Sequence, residues 1–546
     1  MQQVFPGVVL TFLLMLLPAS LAGAPPRAAS RPAVEMSMEV ERVWAGHPVG
    51  FCLLTHGQRQ YVAYYDEQRR MTVAARDLSG DRWERVRLPS RVGWDSHNSI
   101  VMAVDDAGDL HLAGNMHGVP LVYFRTRRPG DIGSLERVEQ MVGRDEQRVT
   151  YPRFLRGPEN EGCPATPPTP PLKGGERVVA SSGERVVASS GERIVGAPGE
   201  RIAGAPGERV VAPPGERVVA LSGEGVVAQP SEAEERVPGP PGERTALPGG
   251  RGALIFTYRD GGSGQGNQIY NVYDPQFKQW RRLMDTPLID GEGQMNAYLD
   301  EPRRDASGVY HLCWVWRDTP DCATNHDVCY ARSRNLVHWE RSDGTPLRLP
   351  ITYGTSEIVA PVPAGGGLIN GNARMGFDAA GRPVVSYHRY DENGHTQVYN
   401  ARLEAGRWRS RKVSDWDYRW EFSGGGSIPF EILVGAVGVD EQGRLTQAFS
   451  HPQAGSGRWV LDAHTLTPTA KLPREQRLPE GMSRPESRWP GMQVRWAEDS
   501  GESGEPGVRY VLRWETLPPN RDRPREGALP PASVLRVLRI RIRPSA

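Results

Sequence analysis

The sequence predicts an all-β fold, a β-propeller of about seven blades carrying one long disordered insertion. A recurring Asp/Gly turn leads into an alternating strand, and a recurring aromatic strand runs to a tryptophan. The composition, with Gly 62, Trp 14 and Tyr 17 in 546 residues, suits short strands and tight turns. Such units are typical of propeller blades, and at roughly 50 residues or slightly more per blade the chain outside the insertion accommodates about seven. A β-sandwich is the alternative fold.

Two half-motifs make up the repeat. The Asp/Gly turn and its strand occur at 105–112, 305–310, 378–385 and 440–445. The aromatic strand runs from Tyr270 to Trp280, from Tyr330 to Trp339 and from Tyr399 to Trp408. Because one blade cannot bury both of its faces alone, the blades must stack around an axis. We expect the propeller to occupy 35–156 and 251–472, and 473–546 to form its closure or a tail.

The N-terminal segment 1–24 resembles a signal peptide. Its apolar core, 8–17, is followed by small residues. The core is shorter than the roughly 20 residues that span a bilayer. We expect a secreted or periplasmic protein, with an uncleaved anchor as the alternative. No later segment is apolar enough to cross a membrane.

The segment 157–250 departs from the propeller pattern. It is rich in Pro and Gly and repeats an octad that begins Gly-Glu-Arg-Val. A period of eight excludes collagen, which needs Gly at every third residue. A small β-solenoid is one interpretation, but the composition favours a disordered insertion in a surface loop.

The overall charge indicates no nucleic-acid partner. Lys+Arg total 66 and Asp+Glu total 65, which leaves a net charge of +1 without a basic stripe. The five cysteines are too few for a disulfide scaffold. We expect a monomer.

His97 and His117 are the strongest candidates for a functional site. They flank one Asp/Gly turn and one alternating strand, so both lie at strand ends. Their neighbours, including Asn98 and Asn115, are small and polar, and a histidine in such surroundings titrates near neutrality. The alternative is a pair of structural histidines that bond to loop carbonyls.

Tyr151 and Arg259 stand on either side of the insertion. If the insertion loops out, their segments become adjacent strands, and the two side chains approach one another. The ordinary alternatives are a tyrosine that fills a blade and an arginine in a surface ion pair.

These segments together resemble a known family. The string from His97 to His117, Tyr-Pro-x-Phe at 151–154 and Tyr-Arg-Asp-Gly-Gly-Ser-Gly at 258–264 resemble the BNR-repeat propeller polysaccharide lyases, which include ulvan lyases. The resemblance continues through 295–298, 314–317, 330–333 and 386–391, and it covers about 43–450. The insertion has no counterpart in that family.

The resemblance implies β-elimination on a uronate-containing polysaccharide without an organic cofactor. A base removes the proton at C5, an acid protonates the departing C4 oxygen, and further groups neutralise the carboxylate. His97 and Tyr151 match the proton-transfer residues, and which is base or acid stays open, as does one tyrosine serving as both. His117 and Arg259 match the carboxylate-binding groups. The expected substrate contacts are Asn98, Asn115 and Tyr298.

Two other functions compete with the lyase. A sialidase-like glycoside hydrolase needs three arginines on the sialate carboxylate, and only one convincing arginine falls in the candidate site. A non-catalytic carbohydrate-binding propeller needs no converging histidine pair, tyrosine and arginine.

A separate cluster predicts a structural zinc ion. The spacings of His311, Cys313, His326 and Cys329 suit a tetrahedral zinc site, and related lyases hold a structural metal. The alternatives are a disulfide among Cys313, Cys322 and Cys329, or histidines that cap turns.

Overall fold

The computed structural model describes residues 32–158, 252–474, 478–479 and 481–542. Within these ranges the chain forms seven antiparallel sheets. Three short 3-10 turns, Ile132–Ser134, Cys322–Thr324 and Tyr353–Thr355, are the helical elements of the described part. No helix in these ranges has the length and apolarity needed to cross a bilayer. Each sheet is one blade, so the predicted all-β propeller of seven blades is confirmed. The expected signal peptide and nearly all of the expected disordered insertion lie outside the described residues.

The strands follow one another along the chain with short connections. In chain order they are β1 Pro32–Val43, β2 Cys52–His56, β3 Arg59–Tyr65, β4 Arg70–Asp77, β5 Glu84–Arg91, β6 Ile100–Val104, β7 Leu110–Gly114, β8 His117–Val119, β9 Tyr123–Thr126, β10 Leu135–Arg137, β11 Val149–Arg156, β12 Leu254–Gly262, β13 Gln265–Asp274, β14 Gln279–Arg282, β15 Ile289–Asp290, β16 Asn296–Leu299, β17 Arg303–Arg304, β18 Tyr310–Arg317, β19 Asn325–Ser333, β20 Trp339–Glu340, β21 Glu357–Ala360, β22 Arg374–Phe377, β23 Pro383–Tyr390, β24 Thr396–Glu404, β25 Arg407–Lys412, β26 Leu433–Val439, β27 Leu445–His451, β28 Gly455–Leu461, β29 Pro468–Leu472, β30 Gln493–Glu498, β31 Val508–Thr516 and β32 Ser533–Ile542.

The sheets group these strands in nearly sequential order. The first blade is β2–β5, the second β6, β7, β9 and β10, the third β8 with β11–β15, and the fourth β16–β21. The fifth is β22–β25, the sixth β26–β29, and the seventh β30–β32 with β1. The N-terminal strand therefore completes the last blade. This pairing joins the two ends of the described chain and leaves fewer open sheet edges.

The Asp/Gly turns form as their sequence predicts. The Asp105 carboxylate accepts hydrogen bonds from the backbone N–H groups of Ala107 and Asp109, each at 2.9 Å. Gly108 adopts a φ of 86°, which a side chain would oppose. Asp305, Asp378 and Asp440 make the same pair of bonds in later blades. One local chemistry thus ends the turn before the second long strand of four different blades.

The strands on either side of the insertion pair with each other. β11 and β12 run antiparallel, with Thr150 opposite Arg259 and Arg156 opposite Leu254. The chain therefore returns to the same sheet after residue 251, as the looping-out hypothesis requires, and Tyr151 and Arg259 lie close together.

Candidate functional site

A cavity of about 500 Å³ collects residues from loops and strand ends along the described chain, from Pro48 to Pro519. His97, His117, Tyr151, Tyr298 and Arg317 line one part of it. Among the described residues on its wall, none is an aspartate or a glutamate. A ligand in this cavity therefore meets histidine, tyrosine and arginine side chains together with apolar ones, and no described carboxylate on the wall.

Asp95 joins the two predicted histidines. His97 donates from Nδ1 to one carboxylate oxygen at 2.7 Å, and His117 donates from Nδ1 to the other at 2.5 Å. The two imidazole rings lie 4.4 Å apart between centroids. The backbone N–H of His97 also donates to Asp95, at 2.9 Å. The aspartate thus fixes the conformation of the loop and the orientation of the two rings.

The shared carboxylate determines the tautomer of both rings. Burial raises the pKa of Asp95, but the hydrogen bonds from His117 and His97 lower it more, and the net pKa lies well below its usual value. An ionised carboxylate accepts two Nδ1–H bonds, so in the neutral rings each Nε2 carries a lone pair. Neither Nε2 has a hydrogen-bond partner among the described residues. Both nitrogens are available to accept a proton.

Tyr151 completes the cluster from the third blade. Its ring centroid lies 5.7 Å from that of His97 and 5.9 Å from that of His117. The residue has a φ of 54° at an irregularity of β11, between Thr150 and Arg153. A left-handed conformation costs a residue of this size about 1–3 kcal/mol, and such strain concentrates at functional sites. Burial raises the pKa of Tyr151 above its usual value, so the phenol stays protonated near neutral pH.

Arg259 lies beneath the tyrosines and is not part of the cavity wall. Arg259 is only 1% exposed. Its guanidinium carbon lies 5.0 Å from the ring centroid of Tyr151 and 5.2 Å from that of Tyr298. Its Nε donates to the Gly261 carbonyl at 3.1 Å. Its Nη1 and Nη2 are buried without a hydrogen-bond partner among the described residues, and the predicted role of Arg259 in binding a carboxylate stays a prediction.

Arg317 is the arginine that lines this part of the cavity. Its Nη1 donates to the Tyr298 hydroxyl at 3.4 Å, and its Nε donates to the Thr319 carbonyl at 3.0 Å. Tyr298 also bonds to Ser263 at 2.6 Å. Burial raises the pKa of Tyr298, but the charges of Arg259 and Arg317 lower it more, and the net pKa is below its usual value. Tyr298 is therefore a strong hydrogen-bond donor on the wall.

Asp522 supports the histidine loop from the far end of the chain. Its carboxylate accepts from the backbone and hydroxyl of Ser96, at 3.0 and 2.9 Å, and lies 3.4 Å from Nδ1 of His97. It also accepts from the backbone and hydroxyl of Ser427 at 2.7 and 2.8 Å. These bonds connect the loop that carries His97 to loops of the last two blades.

The predicted substrate contacts Asn98 and Asn115 lie elsewhere. Both line a second depression of about 450 Å³, which also includes Asp95 and shares His117 with the main cavity. The Asn115 amide donates to Ser90 and to the Arg91 carbonyl, at 2.9 and 3.1 Å. Of the three predicted contacts, Tyr298 lines the main cavity and the two asparagines line the second depression.

The predicted zinc ligands are not gathered into one site. Cys313 pairs with Tyr330 and Cys329 with Trp314, so the two thiols lie on opposite faces of the fourth sheet. His311 bonds to Tyr330 and Asp305, while His326 bonds to Asp318 and Asp327. One tetrahedral ion cannot reach all four, so the residues do not fit the predicted zinc.

The described cysteines form no disulfide, and one group of metal-ligand side chains lies close together. Cys52, Cys313, Cys322 and Cys329 are free thiols, so no disulfide joins them. In the described part of the chain, Asp95, His97 and His117 form the one group of three ligand-type side chains with donor atoms within 4.8 Å of one another. Their mutual hydrogen bonds account for that proximity.

Sequence reasoning missed Asp95, Arg317 and Asp522. Asp95 stands two residues before His97, a spacing at which an aspartate often bonds to the following backbone, and this was the available signal. Arg317 ends a strand of the fourth blade, where a side chain reaches the cavity. Asp522 lies in a Pro/Arg-rich stretch with no local pattern that points to a site.

Several solved structures are similar to this chain. An ulvan lyase of a new polysaccharide lyase family, PL25, has a TM-score of 0.48 and 12% identity, with 88% of this chain and 92% of that chain covered. An α-L-arabinanase from Penicillium chrysogenum has a TM-score of 0.35 and 9% identity, with coverages of 81% and 92%. The six-bladed fucose lectin of Aleuria aurantia has a TM-score of 0.28 and 11% identity, with coverages of 81% and 99%.

No curated protein matches the sequence. The model of the BNR repeat-containing family matches residues 59–161 and 246–416, which is half of the chain. The matched ranges include His97, His117, Tyr151 and Arg259, and they end on either side of most of the insertion. This protein belongs to the BNR repeat-containing family.

Proposed function

We propose that this protein is an exported polysaccharide lyase that cleaves a uronate-containing polymer by β-elimination. One observation carries the proposal: a single aspartate aligns two imidazoles beside a protonated tyrosine in a cavity whose described wall has no acidic side chain. Retaining and inverting glycosidases use two carboxyl side chains of the enzyme that flank the scissile bond. A cavity wall without described carboxylates therefore favours elimination over hydrolysis. The apolar core at 8–17 supports export.

The proposed reaction divides two proton transfers between His97 and Tyr151. The lone pair on His97 Nε2, opposite the nitrogen held by Asp95, takes the proton from C5 of the uronate. The electron pair of that C–H bond forms the C4–C5 double bond, and the C4–O bond breaks. Tyr151, kept protonated by burial, gives its proton to the departing oxygen.

Charge develops on the uronate carboxylate as the C5 proton leaves. His117 and Arg317 line the cavity beside His97, and Tyr298 offers a polarised hydroxyl. Arg259 adds a buried positive charge behind Tyr151 and Tyr298. Donors that are already oriented in a site shielded from water stabilise such charge more strongly than solvent does.

A panel of uronate polymers tests the proposal. The purified protein is incubated with ulvan, glucuronan, pectate, alginate and glycosaminoglycans, and the unsaturated uronate product is followed by its ultraviolet absorbance. We expect product with at least one polymer and a loss of about 10³-fold in kcat/KM for His97→Ala. His338→Ala, at an exposed histidine of the fourth blade, is the matched control. Binding without product from any polymer would instead indicate a non-catalytic carbohydrate-binding propeller.

A further inference from the structure

Arg495 is a cationic side chain on the cavity wall that the proposed reaction does not use. It lies on β30, an edge strand of the seventh blade, and lines the same cavity as His97 and Tyr151. It makes no hydrogen bond or ion pair with any residue in the described ranges, and its Nε is buried without a partner. Many arginines in the described ranges, such as Arg402 and Arg513, are in contrast held by carboxylates or carbonyls.

Arg495 has no counter-charge among the described residues of its cavity. The residue pairs in register with Trp514, which stacks on Phe51 with ring centroids 4.7 Å apart. Among the described residues that line the cavity, no acidic side chain is present to compensate its charge. A partly buried guanidinium without a counter-charge costs free energy, because burial disfavours its charged form. An anionic ligand that enters the cavity removes this cost.

The cavity that Arg495 lines also carries aromatic residues. Trp496 and Phe430 line the same cavity, and Phe430 is 38% exposed although it is a large apolar residue. Binding sites for small organic ligands combine apolar and aromatic walls with a few well-placed polar groups. A cavity whose wall carries aromatic residues and an unpaired guanidinium therefore fits a pyranose ring that bears a negative charge.

We propose that Arg495 forms an anion subsite, in a cavity also lined by Trp496 and Phe430, for a second charged sugar of the polymer, distinct from the uronate that reacts. The inference rests on the proposed function, since it assumes a polymer that extends from the reaction centre. The ligand group is an oxyanion able to accept two parallel N–H bonds from the guanidinium, which a sulfate ester and a carboxylate both do. The subsite makes the protein selective for polymers with closely spaced anionic sugars.

Kinetics of Arg495→Gln and Arg495→Lys test the subsite. On the polymer that gives product, we expect Arg495→Gln to raise KM about 10-fold or more with kcat changed less than about twofold, because it removes a charged hydrogen bond away from the reacting atoms. Arg495→Lys keeps the charge without the planar fork and should recover part of the loss. Arg127→Gln, at an arginine whose side chain is 66% exposed, is the matched control. A KM for Arg495→Gln within about twofold of the parent value would overturn the subsite.

The two sources of the anion are separated by paired substrates. Ulvan, chemically desulfated ulvan and glucuronan are compared on the parent protein and on Arg495→Gln. If the subsite takes a sulfate, the variant loses affinity for ulvan alone; if it takes a carboxylate, it loses affinity for all three.

Direct binding keeps the subsite distinguishable from the lyase proposal. Calorimetric titration with oligosaccharides of ulvan and glucuronan reports affinity whether or not product forms. If the parent protein binds them without product and Arg495→Gln weakens binding about 10-fold, the subsite stands and the lyase proposal fails. If neither oligosaccharide binds the parent protein, the subsite is overturned as well.

Discussion

Two sets of histidines in this propeller meet aspartates in opposite ways. His97 and His117 donate from Nδ1 to the shared Asp95 and leave Nε2 free at the cavity. His111 and His311 lie within blades, where Nε2 donates to Asp105 or Asp305 and Nδ1 accepts from Tyr123 or Tyr330 at 2.7 Å. The buried pair has both nitrogens occupied. A histidine beside an aspartate therefore indicates chemistry only where its second nitrogen is left open.

The repeat explains the buried pair. His111 and His311 each stand six residues after the aspartate of an Asp/Gly turn, and each contacts a tyrosine of the neighbouring strand of its own blade. Burial lowers the pKa of both, which keeps them neutral. They are equivalent structural units in two blades. His311, which the sequence suggested as a zinc ligand, belongs to this group.

Asp95→Asn disrupts the histidine pair whose Nε2 atoms are free, and we expect it to have the largest effect, a loss of activity. The asparagine amide has one acceptor oxygen for two Nδ1–H donors. One ring must therefore carry its proton on Nε2, and it no longer presents a lone pair to the cavity. We expect kcat to fall about 10²–10³-fold with little change in the temperature of unfolding. Both are measured on the parent protein, the variant and Asp415→Asn, whose carboxylate is exposed. Equal kcat for Asp95→Asn and the parent would show that the shared aspartate does not orient the bases.

His111→Ala removes one of the buried histidines whose two nitrogens are both bonded, and we expect it to lower stability. The substitution leaves a cavity in a fully buried position and removes bonds to Asp105 and Tyr123. We expect the free energy of unfolding to fall by about 2–4 kcal/mol, measured by urea denaturation, with kcat on the active polymer unchanged. His338→Ala should leave both quantities near the parent values. A selective loss of kcat in His111→Ala would contradict the division between the two sets.

His388 sharpens the comparison, since it is a buried histidine without a carboxylate partner. It packs 5.4 Å from Trp420 between ring centroids, and burial lowers its pKa to about 4. The unfolded chain takes up this proton near pH 6.5 and the folded protein does not, so stability falls as the pH drops from about 6.5 towards 4.

The same residue gives the smallest of the three effects. Between pH 6.5 and 5 we expect His388→Leu to lose about 2 kcal/mol less stability than the parent protein, at about 1.4 kcal/mol per pH unit. Urea denaturation at the two pH values measures it. Identical pH dependence in both proteins would mean that His388 already takes up its proton in the folded state.

Much of the fold and part of the site followed from sequence. The Asp/Gly turns and Tyr-to-Trp strands predicted the blades because each depends on bonds within a few residues. The return of Tyr151 and Arg259 to adjacent strands also followed, because the propeller pattern continues on both sides of the octad repeat while the repeat itself lacks it. The positions of Asn98, Asn115 and the zinc candidates did not follow, because spacing does not reveal which face of a strand or loop meets the cavity.

What the sequence determined by itself is the blade and the presence of a histidine pair at strand ends, since turn chemistry and strand alternation are local. The tertiary structure alone decided that Asp95 binds both rings and that Arg317, not Arg259, lines the cavity. It also decided that Arg495 of the last blade lines the cavity and that Asp522 bonds to the loop that carries His97. The physical reason is closure. Pairing β1 with β32 brings the C-terminal blade against the first, so side chains more than 400 positions apart in the chain meet at one cavity.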